Sequence, residues 1–382
     1  MSKTNSNNIT IKEVTTKREL RRFVQFGIDL YEGNQYFCPP IILDEINTFN
    51  PKGNPALEVC DFIIYLAYRN NEIVGRIVGL INHRANEAWN VKKCRFGWFD
   101  FIDDYDVFKA LIDAVADWGR HRGMERLNGP VGFTDFDHQG LLLEGFDYNA
   151  PMASLYTYPY YIAHYERYGL RKEADWIEYQ IQRPTQAPER MRRLVEYVEN
   201  RHNLHVVKVK NTKELTQRYG YTYFDVLDEA YQKLYNYQPM TPRQKEYYCK
   251  MYFPLINFDF VTMVANKDDE IVAVGVGMPS LSAALRKCRG KLFPFGWYHL
   301  LKALRAKKIS DFDLLLIGVR PDYQDKGLTA LIFNEMTPHF ARYGVERVET
   351  TAILETNTKS LANFAEYDRI QHKRRRAYIK EL

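Results

Sequence analysis

The chain has 382 residues, 46% hydrophobic and 26% charged, with a formal net charge of +5. This is the composition of a globular protein long enough for two domains; it excludes a disordered or collagen-like chain, and so mild a charge gives no ground for nucleic-acid binding. No apolar run approaches the ~18 residues of a membrane span, and the polar start MSKTNSNNITIKE lacks a signal peptide's apolar core, so a soluble cytoplasmic protein is expected. The five cysteines are widely spaced with no C-x-x-C pair, which predicts neither a disulfide framework nor a zinc site.

In chain order, residues 9–14 predict a short strand and 17–30 a helix with Leu20, Phe23, Val24 and Ile28 on one face. A loop through Cys38-Pro39-Pro40 leads to two apolar strands, 62–68 and 73–81, whose polar link 69–72 is a hairpin signal. A strand over 95–102 precedes a helix over 107–118, and a further strand begins at 127–129. Residues 132–151 are glycine-rich and irregular; an aromatic helix over 158–168 and a strand over 174–181 close this half.

The stretch 183–188, Arg-Pro-Thr-Gln-Ala-Pro, interrupts all periodicity and is expected to divide the chain into domains 1–183 and 184–382. The second half predicts a helix over 189–199, a strand over 205–209, and helices over 213–235 and 243–255. A strand pair over 260–265 and 271–278, a buried strand over 314–319, a strand over 347–354, a short helix over 360–364 and a closing strand over 376–379 follow. The two halves run through the same order of elements, which is a duplication of architecture without a visible residue repeat.

The most informative stretch is LLLIGVRPDYQDKGLTALIF, residues 314–333. Pro321 stops the strand, and from Leu328 the apolar residues Leu328, Leu331, Ile332, Met336 and Phe340 fall at helical spacing up to Gly344. The opening turn of such a helix has unpartnered N–H groups and the positive end of the helix dipole, so an anion is its natural occupant. Gly327 allows close approach to the backbone and Lys326 adds mobile positive charge. The loop has the spacing of neither a P-loop nor a dinucleotide fingerprint.

Its pattern resembles the acyl-CoA pyrophosphate loop of the GNAT acyltransferase superfamily, V-x-P-x-x-[QR]-x-x-G-x-[GA]: Val319, Pro321, Gln324 and Gly327 are in register, while Thr329 stands at the last position with Ala330 one step late. In the first half Tyr165 to Leu170 resembles the family's late Y-x-x-x-G-[FL] segment. The resemblance implies an α/β fold of the α+β mixed-sheet type: two tandem GNAT-like domains, each a mixed central sheet flanked by helices. It also implies acetyl-CoA or a longer acyl-CoA as donor, held by Ile317, Val319, Gln324, Asp325, Lys326, Gly327, Leu328, Thr329, Ala330 and Asn357. In the first half, Asp103, Asp104 and Asp106 occupy the equivalent helix start and would repel a second anion, so only the second domain is expected to bind the donor.

Family members polarise the thioester with a backbone amide of the strand before the loop, which maps near Ile317 to Val319. Their general acid is often a tyrosine seven residues after an asparagine; counted from Asn357, that position is Phe364, which cannot donate a proton. Tyr367, a helical turn on, is the substitute candidate, with Glu355 as candidate base. Asp135, Asp137 and His138 in the loop 134–140, together with Tyr156 in an aromatic cluster, are candidate substrate contacts; self-bonded loop structure and core packing are the structural alternatives. No metal site is expected.

Residues 286–308 carry eight basic and no acidic residues, interleaved with bulky apolar ones such as Phe293, Phe295 and Trp297. Such a pattern suits peripheral contact with an anionic membrane, on its inner face, or a lid whose cations meet CoA phosphates. The basic run 372–376 is expected to be a solvated strand edge or a phosphate contact. The resulting expectation is an acyl-CoA-dependent N-acyltransferase acting on an amine, small or lipid-like; the alternative is a catalytically silent acyl-CoA-binding protein, as Phe364 would suggest.

Overall fold

The computed structural model describes residues 8–184 and 187–382. Thr185 and Gln186, within the expected domain boundary, and residues 1–7 of the polar start lie outside the described residues. The chain forms two compact units: one of residues up to Trp176 with Ser282–Trp297 and Lys373–Leu382, the other of Ile177–Leu281 and Tyr298–His372. Both are mixed sheets flanked by helices.

In the first unit, strands β1 (Thr10–Glu13), β2 (Cys60–Arg69), β3 (Glu72–Asn82) and β4 (Lys93–Phe101) are antiparallel neighbours in that order, and β5 (Arg126–Gly129) joins β4 in parallel. The expected β2–β3 hairpin turns at Asn70 and Asn71, both at positive φ (50° and 66°), a conformation in which asparagine is enriched. On one face helix Tyr105–Arg120 packs Phe108, Leu111 and Val115 against Ile77, Phe96 and Phe101. On the other, helix Lys17–Asp29 brings Phe23, Val24 and Ile28 to Phe49 and Phe133. Burying each of these side chains contributes roughly 1.5–3 kcal/mol. Strand β6 (Leu141–Glu144) lies within the stretch read as irregular; its leucines are buried at 141 and 142, too short a run to declare itself.

In the second unit the sheet order is β7 (Arg171–Gln182, from Ile177 onward), β12, β11, β10, β9, β8. These are β8 (His205–Val207), β9 (Val261–Ala265), β10 (Ile271–Pro279), β11 (Asp311–Val319) and β12 (Arg347–Thr350), followed by the two-residue β13 (Ile353–Leu354) and β14 (Arg369–Glu381). Helices Glu189–His202 and Leu328–Tyr343 cover one face, over Phe312, Leu314, Val348 and Ile181. The expected helix over 213–235 is two helices, Thr212–Tyr219 and Thr222–Tyr231, because Gly220 ends the first at φ 55°. The second of these lies on the opposite face: a Cβ on Gly318 of β11 would stand 2.8 Å from Leu227.

The closing strand is longer than the expected 376–379, and the basic run at its start is not a solvated edge. From Lys373 onward β14 pairs with β5 and β6 in the first unit. Lys373 and Arg375 are 1% exposed. Lys373 Nζ donates to Asn149 O (2.8 Å), Arg375 to Leu155 O, and Arg374 and Arg376 to Asp175 (3.0 and 2.7 Å). Cations are tolerated inside because carbonyls and one carboxylate receive them, a pairing that a one-dimensional charge run cannot reveal.

Candidate active site

The site is built on β11. Its antiparallel pairing with β10 shifts register at Val276/Gly277, so Leu315 is a bulge residue. Its parallel pairing with β12 covers only Asp311–Leu314 against Arg347–Thr350; β12 then ends while β11 continues to Val319. Along this open edge the carbonyls are occupied. Leu315 O accepts from Thr351 Oγ1 (3.0 Å), Ile317 O from Tyr231 Oη (2.7 Å), and Val319 O from Gln324 Nε2 (3.3 Å). The N–H and C=O of one strand residue point to the same edge, so the amides of Ile317 and Val319 open there too. They are donors aimed where a strand is missing, the geometry of a small oxyanion-binding edge.

The loop after β11 is a 3-10 turn, Pro321–Tyr323, tied back by Arg320 N to Val272 O (2.9 Å). Lys326 Nζ rests 4.6 Å from the centre of the Tyr323 ring, and exposed Asp325 pairs with Lys359 at 2.5 Å. Helix Leu328–Tyr343 starts at Gly327 with no side-chain cap and no acidic residue in its first turn. The equivalent helix of the first unit differs. There Asp104 Oδ1 accepts the N–H groups of Asp106 (2.8 Å) and Val107 (3.3 Å), and Oδ2 meets Arg69 at 2.7 Å. Burial pushes the Asp104 carboxyl up, yet Arg69 and the two backbone donors hold it below its ordinary value. Asp103 faces His164 at 2.9 Å. The first unit's helix start is filled by its own carboxylate, and the second unit's has no such cap.

Gly327 is small for a reason the sequence does not disclose. Its φ is 80°, and a Cβ there would stand 2.9 Å from Leu194 and 3.0 Å from Val198 on helix Glu189–His202. Gly327→Ala is therefore expected to cost about 1–2 kcal/mol through left-handed backbone strain, read as a lower Tm even without ligand. It is a poor probe of ligand binding for the same reason.

The expected chemistry residues fall in different places. Phe364 is buried in the core, its ring 5.5 Å from Phe333 and 6.1 Å from Tyr179. Tyr367 lies on the same core, its hydroxyl 3.3 Å from Met191 Sδ, and burial pushes its phenol well above the ordinary tyrosine value. Asn357 caps helix Thr358–Ala362 by accepting from Ser360 N at 3.1 Å, and Glu355 is a partly buried turn residue after β13. Thr329 is partly buried, while Leu328 and Ala330 face the core.

In the first unit Asp137 Oδ2 accepts from Thr134 N (2.9 Å), with burial pushing its carboxyl up to about 6. His138 Nε2 meets Met152 O at 2.9 Å, Asp135 is partly buried in the same turn, and Tyr156, 4% exposed, donates to Phe146 O at 2.9 Å. These four belong to the first unit and the loop residues 317–330 to the second.

The opposite face of the second unit's sheet holds residues that sequence reasoning missed. Strand alternation sends Ile181, Val348 and Phe312 into the core under helix Leu328–Tyr343, so Glu178, Glu349 and Asp313 point the other way. Glu349 stands beside Asp313 in the β11–β12 register, one rung before the strands part. His372 Nε2 is 2.7 Å from Glu349 Oε1, and its Nδ1 is 3.1 Å from the carbonyl oxygen of Glu178. The carbonyl can only accept, so Nδ1 donates to it, and Nε2 faces the Glu349 carboxyl. Glu178, Glu349 and His372 are the one group among the described residues whose ligand atoms, all within 4.8 Å of one another, could hold a metal ion. Both ring nitrogens are engaged in hydrogen bonds as the side chains stand. On the same face Tyr231 reaches the open edge of β11; burial pushes its phenol up to about 12, so it is protonated at neutral pH.

The fold is that of a tandem GNAT architecture. A solved tandem GNAT protein from the clavulanic acid biosynthesis pathway, without AcCoA, superposes over 98% of this chain and 98% of its own, with a TM-score of 0.58 at 10% identity. In sequence the chain is similar to Protein YghO of Escherichia coli, 27% identical over 379 residues, covering 97% of this chain and 95% of that one. It is also similar to the bacterial ceramide synthase of Caulobacter vibrioides, 26% identical over 366 residues, covering 94% of each. No family model matches the chain.

Proposed function

We propose that this protein is an acyl-CoA-dependent N-acyltransferase whose acceptor is a lipid-like amine. The observation that carries the reading is the pairing, in the second unit, of an uncapped helix start with no acidic residue in its first turn with a strand edge presenting the Ile317 and Val319 amides. Gln324, Lys326 and the amides from Leu328 onward suit a pyrophosphate, and the β11 edge suits a thioester carbonyl. An acyl-CoA would supply an activated acyl carbon. On the opposite face Glu349, held by His372, takes the proton of the incoming ammonium, and Tyr231 provides one to the leaving sulfur.

A ceramide is an N-acylated long-chain amino alcohol, so similarity to a ceramide synthase over 94% of the chain supports a long-chain amine rather than a small one. The test is release of free thiol from acyl-CoAs of several lengths, with long-chain amino alcohols and short amines as acceptors. Turnover with the long amines supports the reading. Thermal stabilisation by CoA without thiol release from any acceptor would indicate a silent binder and overturn it.

The pyrophosphate contact has its own check. Lys326→Glu replaces attraction by repulsion at a partly exposed helix start, and the Kd for CoA should rise about tenfold, equivalent to ~1.4 kcal/mol. Calorimetric titration measures this, and an unchanged Kd would move the phosphates elsewhere.

A further inference from the structure

We propose that the segment between β10 and β11 docks the protein on an anionic lipid bilayer. This goes beyond acyl transfer and does not depend on it. The segment folds as helix Ser282–Cys288, a turn, and helix Gly296–Leu304. Its base is fixed within the first unit: Ser282 Oγ donates to Ala150 O (2.8 Å), Ile42 N donates to Gly290 O (3.0 Å), and Arg289 pairs with Glu32 (2.7 Å) and Asp29 (3.2 Å). Arg289 is thus neutralised internally and forms part of the mount.

Beyond that mount the apolar side chains point outward. Phe293 and Phe295 are 73% and 72% exposed, and Trp297, Tyr298 and Leu301 are exposed as well. Eleven large apolar side chains are exposed among the described residues, and five of them fall within 293–301, too concentrated to be ordinary surface scatter. Helix Gly296–Leu304 turns Leu300 inward, whereas Trp297, Tyr298, Leu301 and Lys302 share its outer face. An apolar stripe thus passes directly into a basic one.

The charge selects the occupant. Lys287, Lys291, Lys302, Arg305, Lys307 and Lys308 are exposed, and no acidic residue occurs between Arg286 and Lys308. Aromatic rings that sink to the acyl boundary while cations meet headgroup phosphates are what a peripheral bilayer contact requires. A second copy of the chain fits poorly, because a self-complementary contact through this face would bring like charges together.

The test uses the full chain with vesicles of phosphatidylcholine alone or mixed with phosphatidylglycerol. Wild type should sediment with the anionic vesicles, bind pure phosphatidylcholine at least about tenfold more weakly, and be released by roughly 0.5 M salt. F293S/F295S/W297S should lose about tenfold or more in binding, and K302E/R305E/K307E/K308E should lose the anionic preference. Both variants alter exposed positions, and unchanged Tm and circular dichroism would show that the fold is intact. Failure of wild type to bind, equal binding to both vesicles, or variants binding like wild type would overturn the proposal. So would a serine variant that instead converts a dimer of the free protein to monomer, since the face would then cover a second copy.

Discussion

Tyr231→Phe is expected to lower turnover about a hundredfold or more, within the range for loss of a positioned general acid. The phenol reaches the open edge of β11, its hydroxyl 2.7 Å from Ile317 O. Raised to about 12 by burial, it keeps its proton at any physiological pH and can act as a donor. Phenylalanine preserves the ring and removes only the donor, so the fold should lose about 1 kcal/mol, the worth of one neutral hydrogen bond. Tyr231 is not among the residues proposed to hold the donor's phosphates, so CoA binding should not change. The measurement is kcat beside the Kd for CoA and Tm. A fall below threefold in kcat with the stability loss intact would show that Tyr231 only ties the helix to the strand.

Glu349→Gln should be comparably damaging and should differ in its pH response. Glutamine keeps the size and can still donate to His372 Nε2, but it cannot take a proton from the acceptor. If Glu349 deprotonates the ammonium, the variant should lose about a hundredfold or more at neutral pH and recover as pH approaches about 10, where an alkyl amine loses its own proton. A purely structural role would give no such recovery. His372 has no free ring nitrogen, so it is a positioning residue. His372→Gln should reduce turnover less than Glu349→Gln, and recover in the same direction. Equal activity of Glu349→Gln and wild type across the pH range would remove the dyad from the reaction.

The strand, loop and helix at the candidate site were legible because these elements are local. A strand, a proline stop, a glycine and a helix of clear periodicity lie within residues 314–344, and the structure has them in that order. The asymmetry between the halves was legible too, since Asp104 caps its own helix within three residues. Tyr367 and Asn357 were chosen by counting from a motif, and counting cannot show that Tyr367 stands on Met191 or that Asn357 caps the next helix. Tyr231 was hidden inside a segment read as one helix, and only the break at Gly220 sets the second helix apart.

Sequence alone therefore determined the fold class, the tandem plan and the place of the uncapped helix start at Gly327, because hydrophobic period, turn residues and helix termini act over a few residues. Only the tertiary structure decided which groups sit together. Glu178, Glu349 and His372 lie on three strands far apart in the chain, and their contact exists because sheet pairing aligns them. The same holds for the two basic segments. Alternation within β14 and the partners Asp175, Asn149 and Leu155 bury one of them, whereas the outer face of helix Gly296–Leu304 stays exposed. Charge and apolarity are properties of residues, but burial is a property of what the fold brings beside them.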